Sequence, residues 1–306
     1  MTLKKLRNIA ENLYLVPGEH QGRFPYSHSF LILDEDTVLI DTGCGIGTLK
    51  ELRREYNISY IINSHTHPDH SAGNWIFRDR PICVPEEGFD TSGDLVLLSQ
   101  RFVSEELTLV WQEFVKKCMG FRSCKPTDAY GRRTVFNFGV TELESIHTPG
   151  HTRDHYCFLE RTNGVLFSFD YDLTPFPWYG HRESSIPEFI ESLKMLKALR
   201  PRIVASSHRG IIMADIDAEF DKFKDKIDER NEKILSMLES EMTIEQLVEQ
   251  KPIYETFPYA EPLLWYWESQ MIKKHLEQLA INGKVKVSQG HLYRRTAPGM
   301  GQNHYV

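Results

Sequence analysis

His65-Thr66-His67-Pro68-Asp69-His70 places four side chains able to bind a metal within six residues. His65 and His67 are two apart, so on extended backbone they project to the same side. Pro68 suits the end of that extended piece and the first turn of a following helix. From that turn Asp69 and His70 can swing toward a second position close by. One segment can thus feed two adjacent metals, and imidazole with carboxylate suits zinc, iron or manganese. The segment follows Tyr60-Ile61-Ile62-Asn63, which reads as a buried strand, and precedes Ser71-Ala72-Gly73-Asn74. A surface histidine tract would not be framed in this way.

The rest of the chain sets bounds on what such a site can serve. It has 306 residues, 41% of them apolar and 26% charged, and a net charge of -7. The length suits one large domain plus a small one. The acidic balance argues against bulk attraction to nucleic acid or to an anionic membrane. No stretch approaches the ~18–20 apolar residues of a membrane span, and the first residues lack the apolar core of a secretion signal. The five cysteines, Cys44, Cys83, Cys118, Cys124 and Cys157, are odd in number and include no CxxC pair. Structural disulfides are therefore not expected, and a reducing cytoplasm is.

Outward from the histidines, short β-like runs alternate with turns. Leu13 to Val16, Phe30 to Leu33 and Thr37 to Ile40 read as a meander, followed by a helix from about 47 to 56. Residues 86–132 read as an inserted arm, with helical spacing between Leu95 and Cys118. Further strands are expected at 135–138, 142–147, 156–160, 165–169 and 203–206, with a helix at 187–198. The composition changes near Asp215, which divides the chain into residues 1–214 and 215–306. The second part reads as three helices, the middle one capped by Thr243 and Gln246, and a hairpin around Ser288-Gln289-Gly290. That is a winged-helix-like arrangement. Leu263-Leu264-Trp265-Tyr266-Trp267 in its last helix suggests packing against the first domain or a homodimer partner. The tail from Gly299 to Val306 reads as mobile.

At this point the chain resembles the metallo-β-lactamase superfamily. In that family HxHxDH follows a buried strand, and four further signals come in fixed order. An acidic residue ends an earlier strand, as in Val38-Leu39-Ile40-Asp41-Thr42-Gly43. A Gly-His pair follows, as in Thr148-Pro149-Gly150-His151-Thr152. An Asp ends a later strand, as in Leu166-Phe167-Ser168-Phe169-Asp170, and a last His follows Val204-Ala205-Ser206-Ser207 as His208. The resemblance covers about residues 10 to 212. It implies a four-layer αββα sandwich, an α/β fold with the smaller helical domain behind it. It also implies that His65, His67 and His151 hold a first metal, that Asp69, His70 and His208 hold a second, and that Asp170 bridges both. Asp172, two residues on, is the rival for that last role. Asp41 would orient the ligands, and Asp69 would orient the nucleophile as well as bind metal.

Two divalent ions, zinc before iron or manganese, would lower the pKa of a bridging water from ~15.7 toward ~7. The function implied is a metal-dependent hydrolase using that hydroxide on a small-molecule ester, thioester or lactone. The alternatives are a metal-dependent ribonuclease, since the C-terminal region is similar to that of the β-lactamase-like 2 subgroup, and an iron-dependent oxidoreductase such as a persulfide dioxygenase. Tyr179 and His181 are candidates to line the pocket or to donate a proton to the leaving group, His28 is a candidate to point toward the site, and Cys157 lies near the motifs in sequence.

Overall fold

The computed structural model of the chain describes residues 6–258, 260–288 and 291–296. The tail Gly299 to Val306 and the hairpin tip at Gln289-Gly290 lie outside the described residues.

Two sheets carry the fold. The first runs β1 (Arg7–Ala10), β2 (Leu13–Val16), β3 (Ser29–Leu33), β4 (Thr37–Ile40), β5 (Tyr60–Ile62), β6 (Ile82–Pro85) and β7 (Asp128–Tyr130) in that order. Its first four strands are antiparallel, and β4 to β7 are parallel. Between them come α1 (Ile46–Glu55), the single turn α2 (Pro68–Ser71), α3 (Leu95–Phe102) and α4 (Thr108–Phe114). The second sheet is built from β8 (Val135–Asn137), β9 (Glu142–His147), β10 (Tyr156–Glu160), β11 (Val165–Phe169), β12 (Ile203–Ser206) and β13 (Gly210–Ile212), with α5 (Ile186–Ala198) between β11 and β12. Its order is β13-β12-β11-β10-β9-β8, and β11 and β12 are its parallel pair.

Strand alternation explains how the layers form. Leu13, Leu15, Phe30, Ile32, Val38 and Ile40 face Leu143, Tyr156, Phe158, Val165, Phe167 and Phe169 in one buried cluster between the sheets. The intervening residues Val16, Leu31, Leu39 and Ile61 face the other way, onto Leu49 and Leu52 of α1. Both sides of the first sheet are covered, so its strands read as near-continuous apolar runs. Across the second sheet, Phe189 of α5 stacks on Tyr171 just past β11, ring centroids 4.5 Å apart. Each fully buried large side chain contributes roughly 1.5–3 kcal/mol.

The sequence-assigned arm 86–132 contains α3, α4 and a π-helical turn at Val115–Met119. Its last residues differ from that reading, because Asp128–Tyr130 pairs with β6 as the seventh strand. Three residues are too few to display a two-residue period.

The chain divides into two compact units, Met1–Lys224 and Asp225–Val306, and the division falls inside α6 (Ile216–Met237). The second unit continues with α7 (Ile244–Glu249), α8 (Glu261–Ile281), β14 (Val285–Ser288) and β15 (Leu292–Arg295). Thr243 and Gln246 form the expected reciprocal cap of α7, the Thr243 N–H donating to Gln246 Oε1 at 2.9 Å.

Candidate metal centre

Parallel strands end at the same edge of a sheet, and open α/β sheets bind ligands beyond that edge. Here β4 delivers Asp41, β5 delivers the His65 loop, β11 delivers Asp170 and β12 delivers His208. The backbone is turned sharply at two of these exits: Asp41 has φ 61° and Phe169 has φ 48°. Left-handed conformations in such residues cost about 1–3 kcal/mol each and persist where the surroundings impose them.

Two groups of side chains converge there. His65, His67, His151 and Asp170 form one, and Asp69, His70 and His208 form the other; within each group the ligand atoms lie within 4.8 Å of one another. Asp170 stands between them. Its Oδ2 lies 3.0 Å from His151 Nε2 and 3.8 Å from His65 Nε2. Its Oδ1 lies 2.9 Å from His70 Nε2 and 3.5 Å from His208 Nε2. Asp69 Oδ2 is 3.7 Å from His208 Nε2 and 3.8 Å from His70 Nε2. Asp172 belongs to neither group: its carboxylate accepts the Thr174 N–H at 3.0 Å, and burial pushes its pKa up to about 6.

The far side of each imidazole determines what faces inward. His151 Nδ1 donates to the Trp178 carbonyl at 2.9 Å, and His208 Nδ1 donates to the Gly22 carbonyl at 2.6 Å. A carbonyl only accepts, so in the neutral ring each Nε2 presents a lone pair to the centre. Asp41 serves His70 in the same way, with Oδ2 2.8 Å from Nδ1. That carboxylate also accepts the Ser64 N–H at 2.8 Å and the Ser64 hydroxyl at 2.7 Å. Ser64 Oγ in turn lies 3.0 Å from His65 Nδ1 and can accept its proton. One buried aspartate therefore orients a ring in each group. His67 is reversed. Its Nδ1 lies 2.9 Å from His151 Nε2, its Nε2 is buried without a hydrogen-bond partner, and its ring packs edge-on to Phe102, Trp178 and His181. Gly43 is required by close approach, since a Cβ there would stand 1.6 Å from the Asp69 carbonyl oxygen.

These residues fit a bound cation. His65 Nε2, His70 Nε2 and Asp170 Oδ1 are buried without a hydrogen-bond partner, although His70 and Asp170 are close enough for one. Leaving such atoms unpaired costs about 1–3 kcal/mol each. Zinc–nitrogen distances of ~2.0–2.1 Å put tetrahedral ligand atoms ~3.3 Å apart, and the separations above bracket that value. Burial, and then the neighbouring histidines, hold His65 and His67 well below the usual imidazole range. Burial also pushes His70 and His208 down, but the carboxylates around them prevail. His70 is held well above the usual range, and His208 is raised to about 9. A carboxylate-rich second group thus collects positive charge, which a cation would supply in place of protons.

Of the other candidates, His181 donates from Nδ1 to the Phe102 carbonyl at 3.0 Å and stacks on the Phe102 ring at 4.3 Å. Tyr179 is fully buried and packs on Phe189. His28 accepts the Gly18 N–H on Nδ1 at 2.9 Å and is pushed down to about 4, first by burial. Cys157 is fully buried, and burial raises its thiol. Sequence reasoning missed His155. It is fully buried, and its Nε2 accepts the Asp170 N–H at 3.3 Å while its Nδ1 lies 2.8 Å from Thr148 Oγ1. Its spacing from His151 was the available signal, but a histidine opening a strand has no distinguishing context.

A two-sheet sandwich with a histidine–aspartate centre at its strand ends defines a class of metal-binding fold. The model of the metallo-beta-lactamase superfamily matches residues 22–88 of the chain. The fold is also that of a metallo-beta-lactamase family protein from Thermus thermophilus, at a TM-score of 0.75 and 21% identity, covering 94% of this chain and 100% of that one. Among curated relatives, the lactamase-like protein aptB of Emericella nidulans is 25% identical over 183 residues, covering 55% of this chain and 48% of that protein. The acyl-coenzyme A thioesterase MBLAC2 of Gallus gallus is 23% identical over 203 residues, covering 61% of this chain and 69% of that protein. The chain therefore spans about half the length of the first of these relatives.

Proposed function

We propose that this chain is a metal-dependent hydrolase acting on a small thioester, with simple esters and lactones as related substrates. His65, His67 and His151 would hold one divalent cation, and Asp69, His70 and His208 a second. Asp170 would be shared, and zinc would precede iron or manganese. The observation that carries this reading is the carboxylate of Asp170, with one oxygen turned to each group of histidines. The choice of thioester draws on the thioesterase named among the relatives. A pair of bound cations supplies Lewis acidity, activating water near neutral pH and stabilising negative charge on a carbonyl oxygen under attack.

The chain's own residues do the rest. Asp41 fixes two of the rings. Asp69, whose carboxylate lies 3.7 Å from His208 and 3.8 Å from His70, would orient a water as well as hold metal. Its backbone carbonyl is pinned by the Ser27 hydroxyl at 2.7 Å. The side chain of His208 is the most open of the seven at 15%, against 8% for Asp170 and 0% for His65 and His70. A substrate would therefore approach over His208, where the second group meets solvent. Residues 215–306 are read as a winged-helix-like unit, and the net charge of -7 for the whole chain argues against a nucleic-acid role. Among the described residues no helix is long and apolar enough to cross a membrane. Five free cysteines favour a reducing compartment such as the cytoplasm.

The test is elemental analysis of protein purified without added metal, then assays on acyl-CoA thioesters, aryl esters, lactones and RNA, with oxygen uptake followed on a persulfide. Two metals per chain with thioester cleavage are expected. A single iron with oxygen consumption, or RNA cleavage alone, would overturn the reading.

A further inference from the structure

Beside the metal centre, and outside its ligand set, lies a buried ion cluster organised by one guanidinium. Arg101, at the end of α3, is 8% exposed, Asp154 is 0% exposed and Glu183 15%. Arg101 Nη1 donates to Thr66 Oγ1 at 2.9 Å and to Thr91 Oγ1 at 2.9 Å. Its Nη2 reaches Asp154 Oδ1 at 3.0 Å and Glu183 Oε1 at 2.6 Å, and its Nε donates to Glu183 Oε2 at 3.2 Å. Thr66 Oγ1 closes the ring by donating to Asp154 Oδ2. A Cβ on Gly88 would stand 2.4 Å from that same oxygen and 2.5 Å from the Thr66 methyl, so the cluster is walled in without spare room.

The positions of its members matter. Thr66 lies between His65 and His67. Asp154 lies between His151 and His155. Glu183 follows His181, and the residue after Arg101 is Phe102, whose ring meets that of His67 at 4.8 Å. Burying two carboxylates and a guanidinium is costly and seldom the best way to gain stability alone. The bidentate fork of arginine does, however, fix relative positions closely.

We propose that Arg101 is a positioning residue of the metal centre. By clamping Thr66 to Asp154, it sets the separation of His65 and His67 from His151 and thereby the cation affinity of the first ligand group. The inserted arm is then part of the site's frame and not only a cover. This inference rests on the metal-binding reading given above. Partners that hold ligands in place typically change metal affinity by about 10–100-fold when removed.

The experiment is zinc titration of chelator-stripped protein against a chromophoric competitor, with near-ultraviolet circular dichroism to check folding. Arg101→Met is expected to fold and to bind its tighter zinc at least tenfold more weakly than the unaltered chain. Arg101→Lys, which can meet one carboxylate but not the fork, should recover part of the loss. If Arg101→Met does not fold, Arg101→Lys and Asp154→Asn decide the matter in the same titration, each expected to weaken zinc binding several-fold. Zinc affinity within twofold of the unaltered chain in the folded variants would overturn the clamp and leave the hydrolase reading standing. An unaltered chain that binds no zinc, iron or manganese would overturn both.

Discussion

Asp41 Oδ2 stands 2.8 Å from Nδ1 of His70, with both side chains fully buried. The pair links the end of β4 to the turn after β5, and it gives a residue outside both candidate ligand groups a way to orient them. With two Ser64 contacts on the same carboxylate, Asp41 meets His70 directly and reaches His65 through Ser64.

Replacing Asp41 by Ala should therefore release both rings. Metal content is expected to fall below two per chain, and thioester cleavage by about 10–100-fold. Asp41→Asn should be nearly as damaging, because an amide oxygen cannot accept all three donors. Elemental analysis and kcat/KM of the two variants check this; full metal content with full activity would remove Asp41 from the centre.

Packing between the sheets offers an independent check. The Phe30 ring meets Phe167 at 5.1 Å and Phe169 at 5.7 Å, both edge-on, tying β3 to the strand that ends in Asp170. Phe30→Ala should cost about 3–5 kcal/mol of stability, measured by urea denaturation. A loss under about 1 kcal/mol, far below the usual cost of such a truncation, would show that the inter-sheet core does not close here.

In the second unit, His275 is buried, its Nδ1 2.7 Å from Asn231 Oδ1. Burial, and then the charge of Arg230, hold it down to about 3. The unfolded chain protonates this ring near ~6.5. Its favourable contribution is thus complete above that value and is lost as pH falls toward the folded-state value. The unfolded state takes up the extra proton, so stability should drop by about 1.4 kcal/mol per pH unit in that window. Between pH 7 and pH 5 the unaltered chain should lose about 2 kcal/mol more than His275→Gln. Equal pH slopes in urea denaturation would contradict it.

Much of the candidate site was legible because its residues sit in motifs that end strands. His65 to His70, Asp41, His151, Asp170 and His208 each follow an apolar run or a Gly, and parallel strands carry such ends to one edge. The meander from β2 to β4 was legible through short apolar runs separated by turn residues. Other parts gave no local signal. The strands β1, β6 and β13 have three or four residues and were not read from the sequence. The Arg101–Asp154–Glu183 cluster joins ordinary charged residues from the end of α3 and two distant loops, and no spacing announces it. His155 acts through the Asp170 backbone, a contact that only the paired strands β10 and β11 create.

Asp170 is the residue on which the proposed two-metal centre would depend. Elemental analysis of Asp170→Ala beside the unaltered chain tests it most directly. Two metals per unaltered chain, and a sharp loss of both metal and thioester cleavage in the variant, are expected. Two metals retained per chain of a folded Asp170→Ala protein would contradict the bridging role.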